Sequence, residues 1–411
     1  MDRRILVIFL TVFIDLLGFG IVIPILPTFA QNELFMSETL IGLNVGIFSL
    51  MNFIFSPLWG RLSDIYGRKP IIIFGLSGNV LSYILLGLVM GGILKSVLLL
   101  FVARALAGFF SANIGAALAY ISDVTPPKDR SKGMGIIGAA FGLGFVFGPF
   151  IGGFLAIRFN YGFPIFFSAG LSMIALILTF ILLSESLPKE FRTKKSMSGF
   201  NLKNGLNKLV SALKHPHVGF LITLNFIIVF SIANIFSTFQ LYAESKDGFN
   251  FNIEEISYLF AFSGLIGALT QGIFLRPIVK VFDERKVLIW SCLIMGIGLG
   301  TIPFSNHILG YLLVSIFFMS FGNGLCLSIS LGLISKFTNP DEQGGILGLA
   351  QSLASLARFI GPSWGGFVYH FISFAAPFLT GGIVMVGATF LSLNLLKEKY
   401  RHSSHPVRTR E

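Results

Sequence analysis

The chain has 411 residues, of which 54% are hydrophobic and 12% charged, with a net charge of +11. Ordinary soluble domains carry roughly 25% charged residues, so this composition excludes a water-soluble fold and makes lipid the solvent. Lipid admits only helices and closed barrels, and the apolar segments run about 20 residues without an alternation of period two, which excludes barrel strands.

The predicted spans cover 5–30, 39–59, 71–91, 97–122, 134–156, 164–187, 218–243, 255–279, 287–306, 308–333, 345–371 and 375–397. The first follows Arg3 and Arg4 as a secretory signal would, but it is too long, holds Asp15 midway and lacks a small-residue cleavage site. It reads as a retained helix. Asp15 is the only carboxylate deep inside any span, whereas Asp123, Glu185 and Glu244 lie near span ends within reach of water. A carboxylate in hydrocarbon costs several kcal/mol unless it is neutralised or paired, which marks Asp15 as a functional residue.

Between spans two and three stands Gly60-Arg61-Leu62-Ser63-Asp64-Ile65-Tyr66-Gly67-Arg68-Lys69-Pro70, which reads as a turn. Gly60 and Gly67 allow close approach and sharp turning, and Pro70 suits the first turn of the next helix. Asp64 can sit at the positive end of another helix, while Arg68 and Lys69 can pair with carboxylates on a neighbouring span. A plainer reading gives Arg61, Arg68 and Lys69 a topological duty only, but this leaves Asp64 and the glycines unexplained. Span four embeds Arg104-Ala105-Leu106-Ala107-Gly108. Span five carries Gly133, Gly135, Gly138, Gly142, Gly144 and Gly148 at intervals near four, the spacing of close helix packing. Gly148-Pro149 is set apart from the others as a bend.

Residues 188–217 are the longest polar interval, and their seven positive charges read as a solvated linker lying against anionic headgroups. The expected organisation is therefore a six-helix bundle over 1–187, a linker over 188–217, a second bundle over 218–397 and a tail over 398–411. The halves repeat: Gly135 and Gly148-Pro149-Phe150-Ile151-Gly152-Gly153 recur as Gly348 and Gly361-Pro362-Ser363-Trp364-Gly365-Gly366. Asp283-Glu284-Arg285-Lys286 is a worn counterpart of the basic turn. Parallel repeats of this kind place a substrate site at the midplane between halves.

Of the 30 lysines and arginines, 25 fall on the side of the N-terminus, against Lys95, Arg158 and Lys246 opposite and Arg104 and Arg358 within spans. Both termini are thus expected in the cytoplasm. Basic residues spread along a membrane boundary are not gathered for nucleic acid. Cys292 and Cys326 lie in apolar spans, where neither a disulfide nor a metal site is expected. The absence of HExxH, paired-carboxylate and nucleotide-loop motifs argues against an enzyme and against ATP-driven pumping. Candidates for a polar cavity wall are Asn44, Asn52, Asn113, Tyr120, Asn225, Asn234, Gln240, Gln271, Asn323 and Gln351, although many such groups serve only to bond helices together. Arg358 could attract an anionic substrate group or donate to backbone carbonyls, and the sequence leaves both open.

Three motifs in order at the proper spans carry a resemblance: Gly60–Pro70, Arg104–Gly108 and Gly144-Phe145-Val146-Phe147-Gly148-Pro149-Phe150-Ile151-Gly152-Gly153. With them the chain resembles the major facilitator superfamily, in its twelve-span drug:proton antiporter branch. The opening Asp15-Leu16-Leu17-Gly18-Phe19-Gly20, with Pro24 and Pro27, is most similar to the tetracycline-exporter group. The resemblance implies an all-α membrane protein of twelve transmembrane helices in two six-helix pseudo-symmetric bundles. It implies that Asp64 faces the start of helix eleven near Gly344-Gly345, that Arg68 pairs with Asp123, and that both contacts form outward-facing and break inward-facing. It also makes Arg104 the cationic partner of Asp15, with a static structural pair as the alternative. Ser82, Met295 and Gly267 replace the group's further acids in helices three and nine and its histidine in helix eight, so coupling rests on Asp15 with fewer helpers. The expected function is proton-coupled efflux of an amphipathic small molecule or drug, with no cofactor beyond a proton gradient. The partners expected are that substrate, protons and the bilayer, with the protein a monomer in a bacterial inner membrane. Alternatives are an exporter of a metabolite or siderophore, a uniporter or importer, and a transporter-like receptor or scaffold.

Overall fold

The computed structural model describes residues 3–125, 130–188, 190, 192, 218–246, 248–338 and 343–396. Most of the expected linker and the tail lie outside the described residues, as do the side chains at 133, 135, 138, 142, 344 and 345. Ten helical stretches there are long and apolar enough to cross a membrane: α1 (Ile5–Asn32), α2 (Glu38–Tyr66), α3 (Arg68–Met90), α4 (Val97–Val124), α6 (Phe163–Leu182), α7 (Val218–Glu244), α8 (Ile253–Val281), α9 (Glu284–Phe304), α10 (Leu309–Lys336) and α12 (Ala376–Leu396). Two further helices of 29 residues, α5 (Arg130–Arg158) and α11 (Gln343–Phe371), complete the twelve.

Local chemistry sets the ends. Asn160 Oδ1 accepts from the backbone N–H groups of Gly162 and Phe163 at 2.9 and 2.8 Å and so starts α6. Asn252 and Glu255 form a reciprocal capping box before α8, with bonds of 2.8 and 3.0 Å. Asp283 caps α9 through Arg285 N–H at 2.9 Å, and the hydrogen bond from the Arg285 side chain holds its carboxyl below the usual aspartate range. Within the helices, hydroxyls such as those of Ser82, Ser168, Thr223 and Ser291 donate back to the carbonyl four residues earlier. This satisfies them without water. Large apolar side chains such as Leu81, Phe180, Trp290 and Phe390 stand 63–68% exposed, where hydrocarbon covers them.

The block expected as a turn is nearly all helix. α2 runs through Tyr66 and α3 begins at Arg68, so Gly67 alone reverses the chain, at φ +105°. An L side chain there would also strike the Glu185 carboxylate. Gly60 does not share this role, since a Cβ at Gly60 meets nothing within 4 Å among the described residues. Three spans are interrupted: α1 at 23–25, where Pro24 stands, α4 at Ala112-Asn113, and α7 at 234–237.

Contacts divide the chain into two compact units, and the division does not follow the expected boundary at 188–217. The first unit comprises Met1–Phe200, Asn234–Ala268 and Arg358–Pro377. It holds α1–α6 together with those ends of α7, α8 and α11 that lie on the side opposite the N-terminus, called distal below. The physical reason is that these ends press backbone on backbone. Gly42 and Gly46 of α2 stand against the carbonyls of Pro362 and Phe359 in α11, and Gly153 of α5 stands against Ser257 in α8. Within the first half, Gly144, Gly148 and Gly152 of α5 stand against Leu16, Gly20 and Ile21 of α1, and a Cβ on Gly148 would lie 2.7 Å from the Gly20 Cα. Gly148 therefore packs like its neighbours, with Pro149 inside the helix beside it. Gly365 meets Asn234 of α7 in the same manner, so each copy of the repeated glycine motif packs once inside its own half and once across to the other.

The second unit comprises Asn201–Ala233, Leu269–Ala357 and Phe378–Glu411. Here Gly322 of α10 stands against Met295 of α9, Ser330 Oγ donates to Asn225 Oδ1 at 3.0 Å, and the sulfurs of Cys292 and Cys326 lie 3.7 Å apart without a disulfide.

Candidate functional site

Asp15 is 4% exposed on α1. Asn79 Nδ2 of α3 donates to Asp15 Oδ1 at 3.1 Å, and Ser111 Oγ of α4 donates to Asn79 Oδ1 at 3.1 Å. The carboxyl is thus held by a relay of neutral groups on two other spans. Sequence reasoning did not single out Asn79 or Ser111. The signal available was their polarity in apolar runs, which dozens of membrane hydroxyls and amides share.

The expected pairing of Arg104 with Asp15 is not made. No ion pair joins them among the described residues; Arg104 Nη2 makes one long bond, 3.4 Å, to the Val45 carbonyl. The guanidinium lies 5.0 Å from the Phe48 ring centre and 5.9 Å from that of Phe19. Cation–π contacts of this kind supply about 2 kcal/mol when desolvated, less than the several kcal/mol that burying an ion costs. Tyr83 of α3, its hydroxyl against Gly18, lies within electrostatic range of both Asp15 and Arg104.

The second cluster is at the signature block. Arg68, 8% exposed, bonds through Nε to Asp123 Oδ2 at 3.1 Å and through Nη1 to Asp64 Oδ1 at 2.5 Å and Ser63 Oγ at 2.6 Å. Glu185, beyond α6, accepts from the backbone N–H groups of Arg68 and Lys69 at 2.9 and 3.3 Å, closing the positive end of α3. Ser186 Oγ adds a bond to Asp123 at 3.0 Å. The Glu185 contacts were not anticipated, because they join the start of α3 to a segment more than a hundred residues away, and neither were the roles of Ser63 and Ser186.

A third polar group ties distal ends together. Glu244 of α7 accepts from Thr28 at 2.7 Å and Asn32 at 3.0 Å on α1, and Gln240 Nε2 donates to Thr28 at 2.7 Å. His370 of α11 contacts Glu38 of α2 at 2.7 Å. The Arg68–Asp123 pair is therefore made while these distal ends are joined, although it was expected to open in that condition; the expected partner of Asp64, Gly344-Gly345, lies outside the described side chains, and Asp64 bonds Arg68 instead.

Other amides expected on a cavity wall are placed as follows. Asn113 reaches the Ile72 carbonyl at 3.5 Å, Tyr120 donates to the Ser184 carbonyl at 2.8 Å, and Asn234 to that of Pro377 at 2.5 Å. Asn225 is held by Ser330 and Asn52 donates to the Gly108 carbonyl at 3.0 Å, so these serve as helix-to-helix bonds. Among the described residues, Asn44 is fully buried with neither side-chain polar atom bonded, and Asn323 keeps an unbonded Oδ1. Gln271 and Gln351 are exposed, and Arg358 is half-buried on α11.

A bundle of long apolar helices carrying a buried carboxyl relay, with two of its helices interrupted at buried amides, fits a membrane transporter. The chain belongs to the Major Facilitator Superfamily, which it matches over residues 8–280 and 221–411. It is similar to multidrug resistance protein 2 of Bacillus subtilis, at 30% identity over 97% of this chain and 96% of that one. It is also similar to the class H tetracycline resistance protein of Pasteurella multocida, at 28% identity over 96% of each chain. Among solved structures, that of a D-xylose–proton symporter superposes with a TM-score of 0.78 at 16% identity over 96% of this chain and 98% of that one, a likeness of fold alone.

Proposed function

We propose that this protein exports amphipathic small molecules in exchange for protons, by alternating access, from the cytoplasm of a bacterial cell. The resistance proteins to which it is similar support efflux of a drug-like substrate. Both termini lie in the cytoplasm in this reading, on the strength of the lysine and arginine bias, and the working unit is a monomer. The proton gradient is the energy source and no cofactor takes part.

The observation that carries the reading is the Asp15–Asn79–Ser111 relay. A carboxylate sealed from water and unpaired with a cation is costly as an ion, and taking up a proton removes that cost. Opening the cavity to one side or the other changes the hydration of Asp15, and with it the balance between the two forms. Asn79 can donate to either form, so the carboxyl keeps its position through the exchange. Arg68, with Asp64, Asp123 and the Glu185 cap, fixes the proximal ends of α2, α3 and α4 as one rigid piece.

The test is uptake of a fluorescent amphipathic dye into inverted vesicles under an imposed pH gradient. Gradient-driven accumulation by the wild type should fall to background in Asp15→Asn, with the protein still present and folded. Equal transport by both would reduce Asp15 to a structural residue and remove the coupling scheme.

A further inference from the structure

Beside Arg104 is a small cavity walled by Phe19, Val22 and Leu26 of α1, Val45 of α2 and Phe236 of α7, with Arg104 its sole charged member. It encloses about 10 Å³, the room of one water. Arg104 is 2% exposed and its Nε has no hydrogen-bond partner among the described residues. The Phe19 and Phe48 rings stand beside the guanidinium, its bond to Val45 is long, and among the described residues no carboxylate lies within ion-pair distance. Two walls come from interrupted stretches of helix: Val22 and Leu26 flank the break in α1, and Phe236 sits within that in α7.

We infer that this cavity is the subsite for the carboxylate of an amphipathic organic anion, whose aromatic or aliphatic body lies on Phe19, Val22, Leu26 and Phe236. The inference rests on the transport reading above and specifies the charge of one substrate class. A guanidinium is a planar fork of donors that matches a carboxylate, and the rings beside it leave Nε without a bond. Apolar walls strengthen a charge contact by excluding water, and the same walls disfavour a cationic group next to Arg104. Asp15 is not the counter-charge in this arrangement, because its carboxyl accepts from Asn79. The breaks in α1 and α7 supply the backbone freedom by which the cavity widens from one water to an aromatic acid.

The experiment compares 2-naphthoate with its neutral isostere 2-naphthamide, by calorimetric titration of the full-length protein in nanodiscs. The wild type should bind the acid about tenfold to hundredfold more tightly than the amide. Arg104→Gln should abolish that difference by weakening the acid alone, and Arg104→Lys should keep part of it. Equal binding of acid and amide by the wild type overturns the proposal, as does an Arg104→Gln protein that loses both ligands alike. Should Arg104→Gln not fold, Val45→Phe, which narrows the cavity and leaves the charge, must weaken both ligands; unaltered affinity overturns the proposal. Binding needs no gradient, so the two readings fail separately. An acid preference alongside gradient-independent transport supports this subsite, and gradient-driven transport without an acid preference refutes it.

Discussion

At the residue scale, Asp15 and Arg104 are both nearly sealed from water, yet each is held by something other than the opposite charge. Asp15 takes a neutral amide, and Arg104 takes two aromatic rings and a carbonyl. Removing a donor to a buried carboxyl costs about 1–3 kcal/mol. Asn79→Leu should therefore slow gradient-driven transport by about fivefold to a hundredfold and alter its pH profile, while substrate affinity stays near wild type. Vesicle assays across a pH series, with equilibrium binding beside them, check this. A pH profile unchanged from wild type would make Asn79 a packing residue. Asp15 was legible from the sequence because a lone acid in a long apolar run has few innocent explanations. Its partner was not, because choosing among Asn79, Ser82, Ser111 and Arg104 requires the rotation of α3 and α4 about their axes, and an apolar-all-round helix gives no stripe from which to read that rotation.

At the element scale, the signature block shows how far a motif is legible as a sentence and illegible as geometry. Its glycines look equivalent in sequence. In the fold Gly67 makes the whole reversal between α2 and α3 at positive φ, with the Glu185 carboxylate where a side chain would go, whereas Gly60 sits inside a helix facing open space. Gly67→Ala should lower stability by about 1–3 kcal/mol through backbone strain, plus displacement of the Glu185 cap. Gly60→Ala should be neutral or stabilising by up to about 1 kcal/mol, since alanine is the better helix former. Thermal unfolding of the two purified variants decides the matter, and a larger loss in Gly60→Ala would contradict the geometry. Most span boundaries were read to within a few residues because hydrocarbon enforces length and apolarity, but the helix of span two runs on through Tyr66. The breaks in α1, α4 and α7 were not, since Pro24 explains only the first and the others depend on tertiary support.

At the scale of the whole molecule, the repeated Gly-Pro motif was legible as a repeat, while its double duty was not. Each copy faces a partner in its own half and another in the opposite half, and nothing in a one-dimensional spacing names the second. The Glu38–His370 contact makes the distal closure testable. With Cys292 and Cys326 replaced by serine, a Glu38→Cys, His370→Cys pair should cross-link under mild oxidation, stop gradient-driven transport and release it on reduction. A Glu33→Cys, Lys95→Cys pair, which bridges α1 and the start of α4 inside one half, should cross-link without effect. Transport that survives the first cross-link would show that the distal ends need not part. The seal that would have to part is made largely of carbonyls resting on glycine α-carbons, each contact worth about 0.5–1 kcal/mol at most. Such a surface holds by area and shape, with the Glu244 and Glu38–His370 contacts as its few stronger bonds. A gate built this way parts through many small losses, and its tightness is set by how smooth the two faces are.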